Sequence, residues 1–417
     1  MTRFWRAARI TFRSMSVRNY RLYFAGQLIS TTGTWMQSIA QAWLVLQITG
    51  SGVALGVTVA LQFLPVLLVG AWGGLVADRV DKRRLLVGTQ AAAGVLALVL
   101  GTVTALGVVQ LWMIYVLALG LGAVNALDNP ARRAFVVEMV GDEHVSNAVS
   151  LSSAMFMAAR VIGPAIAGLV IAGFGVSWCF FANGVSYSAA VIAFLAMREN
   201  EFFAVERVPK RKGQLREGLR YAWSTPALRL VLVLTAVIGT LAFNFQVVLP
   251  LLAKQTFSGG ADTLGVLYAS MSIGSVIGGL VSAHEARATR RFVLGAALAF
   301  GAALVAAALA PTFALELLVL VPVGAAGIAF TAMANGVLQT ETAPEMRGRV
   351  AALFTVAFLG STPIGGPIIG WVSQQLGPRA GLWVGAVATL AVTVVAIAGI
   401  RRRREVQHRV LASPTHA

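Results

Sequence analysis

Apolar stretches of about twenty residues, separated by short polar connections, follow one another from residue 22 to residue 400. Twelve can be delimited, at 22–48, 53–76, 85–106, 111–131, 147–172, 177–197, 228–253, 263–283, 292–310, 313–340, 350–375 and 380–400. Roughly twenty apolar residues carry a helix across a bilayer, so the pattern predicts twelve transmembrane helices. One connection, 198–227, is longer, polar and basic, and divides the spans six and six. The expected organisation is a basic segment 1–21, a six-helix bundle 22–197, a linker 198–227, a second bundle 228–400 and a basic tail 401–417.

Composition supports this reading. Of 417 residues, 58% are hydrophobic and only 12% charged, against about half and a quarter in soluble domains. A soluble enzyme, a disordered chain and a disulfide scaffold (there is a single cysteine, Cys179) are excluded. The net charge of +17 would by itself point to nucleic acid, but its distribution says otherwise. Thirty of the 33 Lys and Arg residues fall on the tails and every second connection. Lys254 and Arg379 fall on the opposite side, and Arg160 lies within a span. That separation obeys the positive-inside rule and places both termini in the cytoplasm. The charge is a topology signal, and no nucleic-acid partner is expected. Residues 3–15 set Trp5, Ala8, Phe12 and Met15 at helical spacing among arginines, the pattern of an interfacial helix on anionic lipid or of a plain charged tail.

The halves repeat each other. Gly73-Gly74-Leu75-Val76 returns as Gly278-Gly279-Leu280-Val281, and Glu138, Gly163 and Pro164 return as Glu341, Gly366 and Pro367, in register with the span count. Six-plus-six symmetry is a transporter pattern. None of the four lysines sits in a P-loop sequence, and the histidines show no metal-ligand spacing. No enzyme activity, cofactor or metal is therefore expected, and pumping would draw on an ion gradient.

The connection after the second span reads Gly74-Leu75-Val76-Ala77-Asp78-Arg79-Val80-Asp81-Lys82-Arg83-Arg84. It resembles the signature between helices 2 and 3 of the major facilitator superfamily, with Val76 and Asp81 as departures. The fifth span carries Ala159-Arg160-Val161-Ile162-Gly163-Pro164-Ala165-Ile166-Ala167-Gly168, which resembles that superfamily's antiporter motif, with a counterpart at Gly365-Gly366-Pro367. The stretches 19–37, 129–135 and 159–164 look like the enterobactin-exporter-like branch, the transmembrane secretion effectors, which includes siderophore and drug exporters. The resemblance implies an all-α fold of twelve helices in two bundles. It also implies that Asp78 holds the cytoplasmic side shut against the helix beginning at Val350, braced by Arg79 and Arg83. The alternative for Asp78 is a solvated loop charge. The superfamily's Arg-containing signature in the fourth span is not matched, since Ala118 and Leu121 precede Gly122.

Charge inside a bilayer is expensive and marks function. Asp128 in the fourth span and Arg160 in the fifth differ in depth by roughly 10 Å at 1.5 Å per residue. They are expected to pair, either as a proton-coupling switch or as a permanent structural bridge. Gln27, Thr31, Thr34, Ser38 and Gln41 form one helical face of the first span. In a facilitator fold this stripe would line the cavity with Tyr115, Asn125, Phe156, Met157, Thr240, Phe243, Asn244, Asn335 and Gln339, or else serve as interhelical glue.

The expected function is a proton-coupled exporter of hydrophobic, drug-like or siderophore-like small molecules, acting as a monomer in lipid of the bacterial cytoplasmic membrane. An importer or lipid flippase on the same fold, and a non-transporting sensor, are the alternatives.

Overall fold

The computed structural model describes residues 12–203, 214–284, 288–358 and 360–412, with the side chains of 70–79, 214–215, 283–284 and 403–412 left aside. The expectations resting on Trp5 and Ala8, and those on Gly74 and the Asp78 and Arg79 side chains, lie outside what is described. Every regular element among the described residues is helical. Ten runs are long and apolar enough to cross a membrane.

In the first half these elements are α1 Arg18–Thr49, α2 Gly52–Arg79 and α3 Lys82–Ala105, then the run Leu111–Phe174 and α6 Val176–Leu195. Residues 111–174 are not one rod. Gly141 adopts φ 65°, ψ 172°, a conformation that glycine takes without a Cβ penalty. It divides the run into α4 (111–140) and α5 (142–174). The Phe203 amide donates to the Glu138 carbonyl at 2.8 Å, closing the exposed end of α4. Helix α1 is missing from the ten apolar runs because its polar stripe lowers its hydropathy; it nonetheless has 32 residues.

In the second half follow α7 Gln214–Ser224, α8 Pro226–Leu241, α9 Phe245–Leu251, α10 Ala261–His284, α11 Arg290–Leu309, α12 Phe313–Thr340, α13 Arg347–Phe358, α14 Thr362–Leu376 and α15 Pro378–Ala412. Helix α7 lies in the segment read as a plain linker. It packs against α13, where Glu217 pairs with Arg349 at 2.8 Å and the Tyr221 hydroxyl accepts from the Ala343 amide at 3.2 Å. The seventh and eleventh apolar segments are each interrupted, between α8 and α9 and between α13 and α14. Pro363, in the first turn of α14, lacks the N–H that a helix continuing from α13 would need, whereas Pro250 lies inside α9. At the first break the Asn244 side chain donates to the Thr240 carbonyl at 2.6 Å, replacing a lost backbone bond.

The two halves meet along two seams, α2 against α14 and α5 against α10. Both are built on glycine. A methyl group on Gly366 would stand 2.9 Å from the Gly56 carbonyl oxygen, and one on Gly265 would stand 3.0 Å from that of Pro164. The first approach is closer than real Cβ contacts allow and the second is tighter than most of them, so backbone lies against backbone. Small residues at such positions are how helices associate in lipid, where apolar burial gives no driving force.

Among the described residues, the hydrogen bonds that join the halves cluster toward one end. The Ser51 hydroxyl donates to Gln374 Oε1 at 2.7 Å, and the Val53 amide donates to the same oxygen at 3.1 Å. Lys254 Nζ donates to the Leu46 carbonyl at 2.6 Å. These bonds lie at the end opposite the arginine-rich connections. Among the described residues, no hydrogen bond or ion pair joins the halves at the basic end.

Contacts at the two ends also account for the charge pattern. Of the two cations that broke the positive-inside pattern, Lys254 holds a last-turn carbonyl of α1 and Arg379 the carbonyl of Ala310, which caps α11. Both sit at the negative end of a helix dipole. At the basic end Arg83 does the same for α6, bonding the Phe194 and Leu195 carbonyls and pairing with Glu199. Asp81, a departure from the superfamily signature, caps α3 by accepting from the Arg84 amide at 3.0 Å. Exposed Trp112, Trp178, Trp371 and Trp383 all lie near the non-basic end, as expected of an interfacial belt.

Paired cysteines at Ser51 and Gln374 test this closure, since Cys179 is fully buried and supplies no competing thiol. Mild oxidation is expected to cross-link α2 to α14 in most molecules, read as an electrophoretic shift. A pair absent from the resting protein would show the non-basic end open.

Candidate functional site

Buried polar side chains of the first half converge on Asp128, in α4. It is 1% exposed. Its Oδ1 accepts from Thr89 Oγ1 at 2.8 Å and from Gln90 Nε2 at 2.9 Å, both on α3. Its Oδ2 pairs with Arg132, one turn along the same helix. Arg132 also donates to Gln27 Oε1 on α1, and Ser30 of α1 donates to Gln90 Oε1 at 3.0 Å. Helices α1, α3 and α4 are thus tied together by one charge pair. Gln27 Nε2 and Arg132 Nε keep no partner, so the network still has donors to offer.

The pair expected between Asp128 and Arg160 does not form. Residues i and i+4 share a helix face, so Arg132 reaches Asp128 from the same side, inside the first bundle. Arg160 lies elsewhere, against α1 beside the seam between the bundles. Its guanidinium lies over the Trp35 ring of α1, 5.4 Å from the centroid. Its backbone carbonyl accepts from Ser272 of α10 at 3.3 Å, across the seam. Trp35 meets Phe156 edge-on at 5.7 Å, and Phe156 is 43% exposed.

The polar stripe of α1 is divided between two environments. Gln27 and Thr31 are buried, Gln27 in the charge network. The Thr34 hydroxyl bonds the Ser30 carbonyl and lies 3.1 Å from the Tyr187 hydroxyl of α6. This lower part is glue within the bundle rather than cavity lining. Farther along, Ser38 and Gln41 open on a water-sized pocket shared with Thr58, Gln62 and Gln246. There Gln246 Nε2 donates to Ser38 at 3.4 Å, joining the halves. Thr58, Gln62 and Gln246 were not singled out in the sequence. Gln246 directly follows the α8–α9 break, and its signal was the Asn244–Pro250 interruption itself.

The remaining candidates scatter. Tyr115, Asn125, Met157, Thr240 and Asn335 are half-buried, and Gln339 is exposed. Phe243 packs into an aromatic cluster with Phe245, Phe300 and Phe358 at the paired helix breaks. Asn244 is 4% exposed and turned into its own helix. Of the gating signature, Arg83 braces α3 to α6, and Val350, the implied partner of Asp78, is 1% exposed. Of the antiporter motifs, Gly163 faces Trp35 and Thr32 of α1, Gly168 faces Gly265, Gly365 faces Thr240, and Gly366 and Pro367 face Gly56. One further acid is buried. Glu316 of α12 is fully enclosed, neither carboxylate oxygen has a hydrogen-bond partner, and Arg379 is the cation within electrostatic reach. No three His, Cys, Asp or Glu residues gather in a way that could hold a metal, among the described residues.

Comparison with known proteins identifies the family and the fold. Residues 10–414 match the profile of the family described as "transmembrane secretion effector". The chain is 25% identical over 405 residues to the enterobactin exporter EntS of Shigella boydii, covering 94% of this chain and 95% of that one. It is 27% identical over 381 residues to the multidrug efflux pump Tap of Mycolicibacterium fortuitum, covering 89% and 93%. It is 26% identical over 267 residues to the staphyloferrin A transporter of Staphylococcus aureus, covering 63% and 66%. Among solved structures, a bacterial homologue of the human lysosomal transporter Spinster, inward-facing and unoccupied, superposes with a TM-score of 0.72 at 16% identity, covering 91% and 96%. The nucleoside transporter NupG does so with a TM-score of 0.71 at 12% identity, covering 92% and 98%.

Breaking a buried ion pair from one side leaves an uncompensated charge, at a cost of about 3–5 kcal/mol, whereas replacing both partners by apolar residues is often nearly neutral. Arg132→Leu is therefore expected to lower the melting temperature of the detergent-solubilised protein sharply. Adding Asp128→Leu is expected to recover most of the loss. Equal melting curves for wild type and Arg132→Leu would show that the pair contributes nothing.

Proposed function

Because the chain belongs to the transmembrane secretion effector family and is a multi-pass protein of the bacterial inner membrane, we propose that it is a secondary exporter of small hydrophobic or amphipathic molecules, drug-like or siderophore-like, driven by proton antiport. Twelve spans form two six-helix bundles with both termini in the cytoplasm. The ten apolar runs support that count when residues 111–174 are divided at Gly141 and α1 is added. The one-ended seam carries the reading. Glycine contacts and hydrogen bonds close the bundles at the outer end, while the basic, cytoplasmic end is joined by no described bond. Rocking about the seams exposes the space between bundles to either side in turn. The relatives named as an exporter and as an efflux pump support outward transport.

Proton coupling falls to Asp128, with Arg132 rather than Arg160 as its partner. A proton on Asp128 removes the charge that holds Arg132 and frees the guanidinium to follow Gln27 of α1. That converts protonation into a change at a helix that lines the space between bundles. Asp78 with Arg79 remains the proposed cytoplasmic latch. The protein acts as a monomer.

Proton movement in proteoliposomes under an imposed pH gradient tests this reading, with a panel of amphipathic drugs and siderophores on the substrate side. Wild type is expected to show compound-dependent proton flux. Asp128→Asn keeps the size of the side chain and should fold, but is expected to lose that flux at least tenfold. Undiminished flux in the folded variant would remove Asp128 from coupling.

A further inference from the structure

Arg160 is the cation that the network around Asp128 leaves over. A charge near the middle of a bilayer is tolerated when it is paired or faces water. Among the described residues, its guanidinium has no hydrogen-bond acceptor; the Trp35 ring at 5.4 Å is the contact it makes. The two buried carboxylates are elsewhere. Asp128 is taken by Arg132, Thr89 and Gln90, and Glu316 lies in the second bundle beside Arg379. Tyr268 of α10 approaches Arg160; its hydroxyl donates to the Phe245 carbonyl at 3.1 Å and makes no hydrogen bond with the guanidinium. Arg160 is half-buried rather than enclosed. Its neighbours Trp35 of α1 and Ser272 of α10 place it at the bundle seam rather than on the lipid side.

We propose that Arg160, resting on Trp35 with Phe156 alongside, binds an anionic group of an aromatic or amphipathic substrate, a carboxylate or an acidic phenolate. The assignment rests on the exporter reading for the word substrate, and on these contacts alone for the word anionic. A guanidinium presents a planar fork of donors that matches a carboxylate at two points. A ring face holds the cation in place without using those donors. The same wall supplies the apolar half of the site, because Trp35 and Phe156 meet edge-on at an interplanar angle of 70° and Phe156 is partly exposed. Ser38 and Gln41, one and two turns farther along α1, add neutral hydrogen-bonding groups on the closed side. With one unpaired positive charge and, among the described residues, no carboxylate in contact with it (Asp262 lies about two turns away, beside Gly168 at the exposed end of the seam), the site discriminates by sign. Cationic and zwitterionic compounds are disfavoured. The membrane potential acts in the same direction, since an interior-negative voltage assists an anion leaving the cell.

Three probes of one shape decide the matter: 1-naphthoate, its neutral primary amide and 1-naphthylmethylamine, bound to purified protein in detergent and followed by calorimetric titration. Wild type is expected to bind the anion about tenfold or more tighter than the amide, and the amine weakest; tenfold corresponds to about 1.4 kcal/mol. Arg160→Gln is expected to level the three affinities. Arg160→Lys, which keeps the charge without the fork, is expected to retain a reduced preference. The wild-type order needs no variant, so a poorly folding Arg160→Gln does not block the test. Equal affinities in wild type, a tighter amine, or an undiminished preference in folded Arg160→Gln would overturn the assignment. Anion-selective binding lost in Arg160→Gln supports it, even where no probe drives proton movement in liposomes; that second result would count against proton antiport instead.

Discussion

The bilayer interior gives helices no hydrophobic reason to associate, and that constraint shapes the whole molecule. Association has to come from close packing, and close packing of two backbones needs residues without side chains. Gly52, Gly56, Gly366 and Gly370 on one seam, with Gly168 and Gly265 on the other, meet that need. Because these glycines lie toward one end, the bundles are held there, and among the described residues no bond holds them at the other. Asymmetry of closure is thus a consequence of where glycine occurs along α2, α5, α10 and α14. A contact made only of backbone and small residues also comes apart without exposing a large sticky face. The seam can therefore serve a moving part.

Charges follow a different rule, since each must find a partner, a helix end or water. Most of the basic residues find water or helix ends outside the membrane. Lys254 and Arg379, on the far side, find the carbonyl ends of α1 and α11. Arg132 finds Asp128. Arg160 alone among these finds only a ring face. Once the others are accounted for, what remains is one cation at the bundle seam, and the neutral polar groups near it do not cancel its sign.

Much of this was legible in the sequence. The span pattern, the split into halves and the positive-inside asymmetry all depend on hydropathy and charge, which a sequence states directly. The family likeness was carried by motif residues that the matched profile bears out. The break at Gly141 fell where the pattern placed a connection, although the helix run hides it. What was not legible was partner choice. Asp128 was assigned to Arg160 from depth, while the simpler i,i+4 relation to Arg132 was on the same helix and went unused. Depth ignores rotation about the helix axis, and rotation decides which bundle a side chain faces. The stripe Gln27 to Gln41 failed in part for a related reason: one helical face, followed for fourteen residues, crosses from the bundle interior to the seam. Helix α7 was missed because its segment was read by its charge alone, although Leu215, Leu219 and Ala222 recur at helical spacing within it.

Helix α1 connects the two chemistries. Gln27 near its basic end is held by Arg132, Trp35 near its middle carries Arg160, and Ser38 beyond it touches Gln246 of the other bundle. A helix transmits a displacement along its axis with little loss, because its backbone bonds are stiff compared with side-chain contacts. Any change that frees Gln27 therefore acts on the wall under Arg160 and on the link to Gln246 together. Coupling between proton and substrate then requires no contact between the two sites. It requires that both bias the position of α1 relative to α10 and α9, in opposite senses. Under that arrangement the failure of Asp128 and Arg160 to pair is an advantage: a pair shared between them would neutralise the substrate's cation whenever the proton was absent.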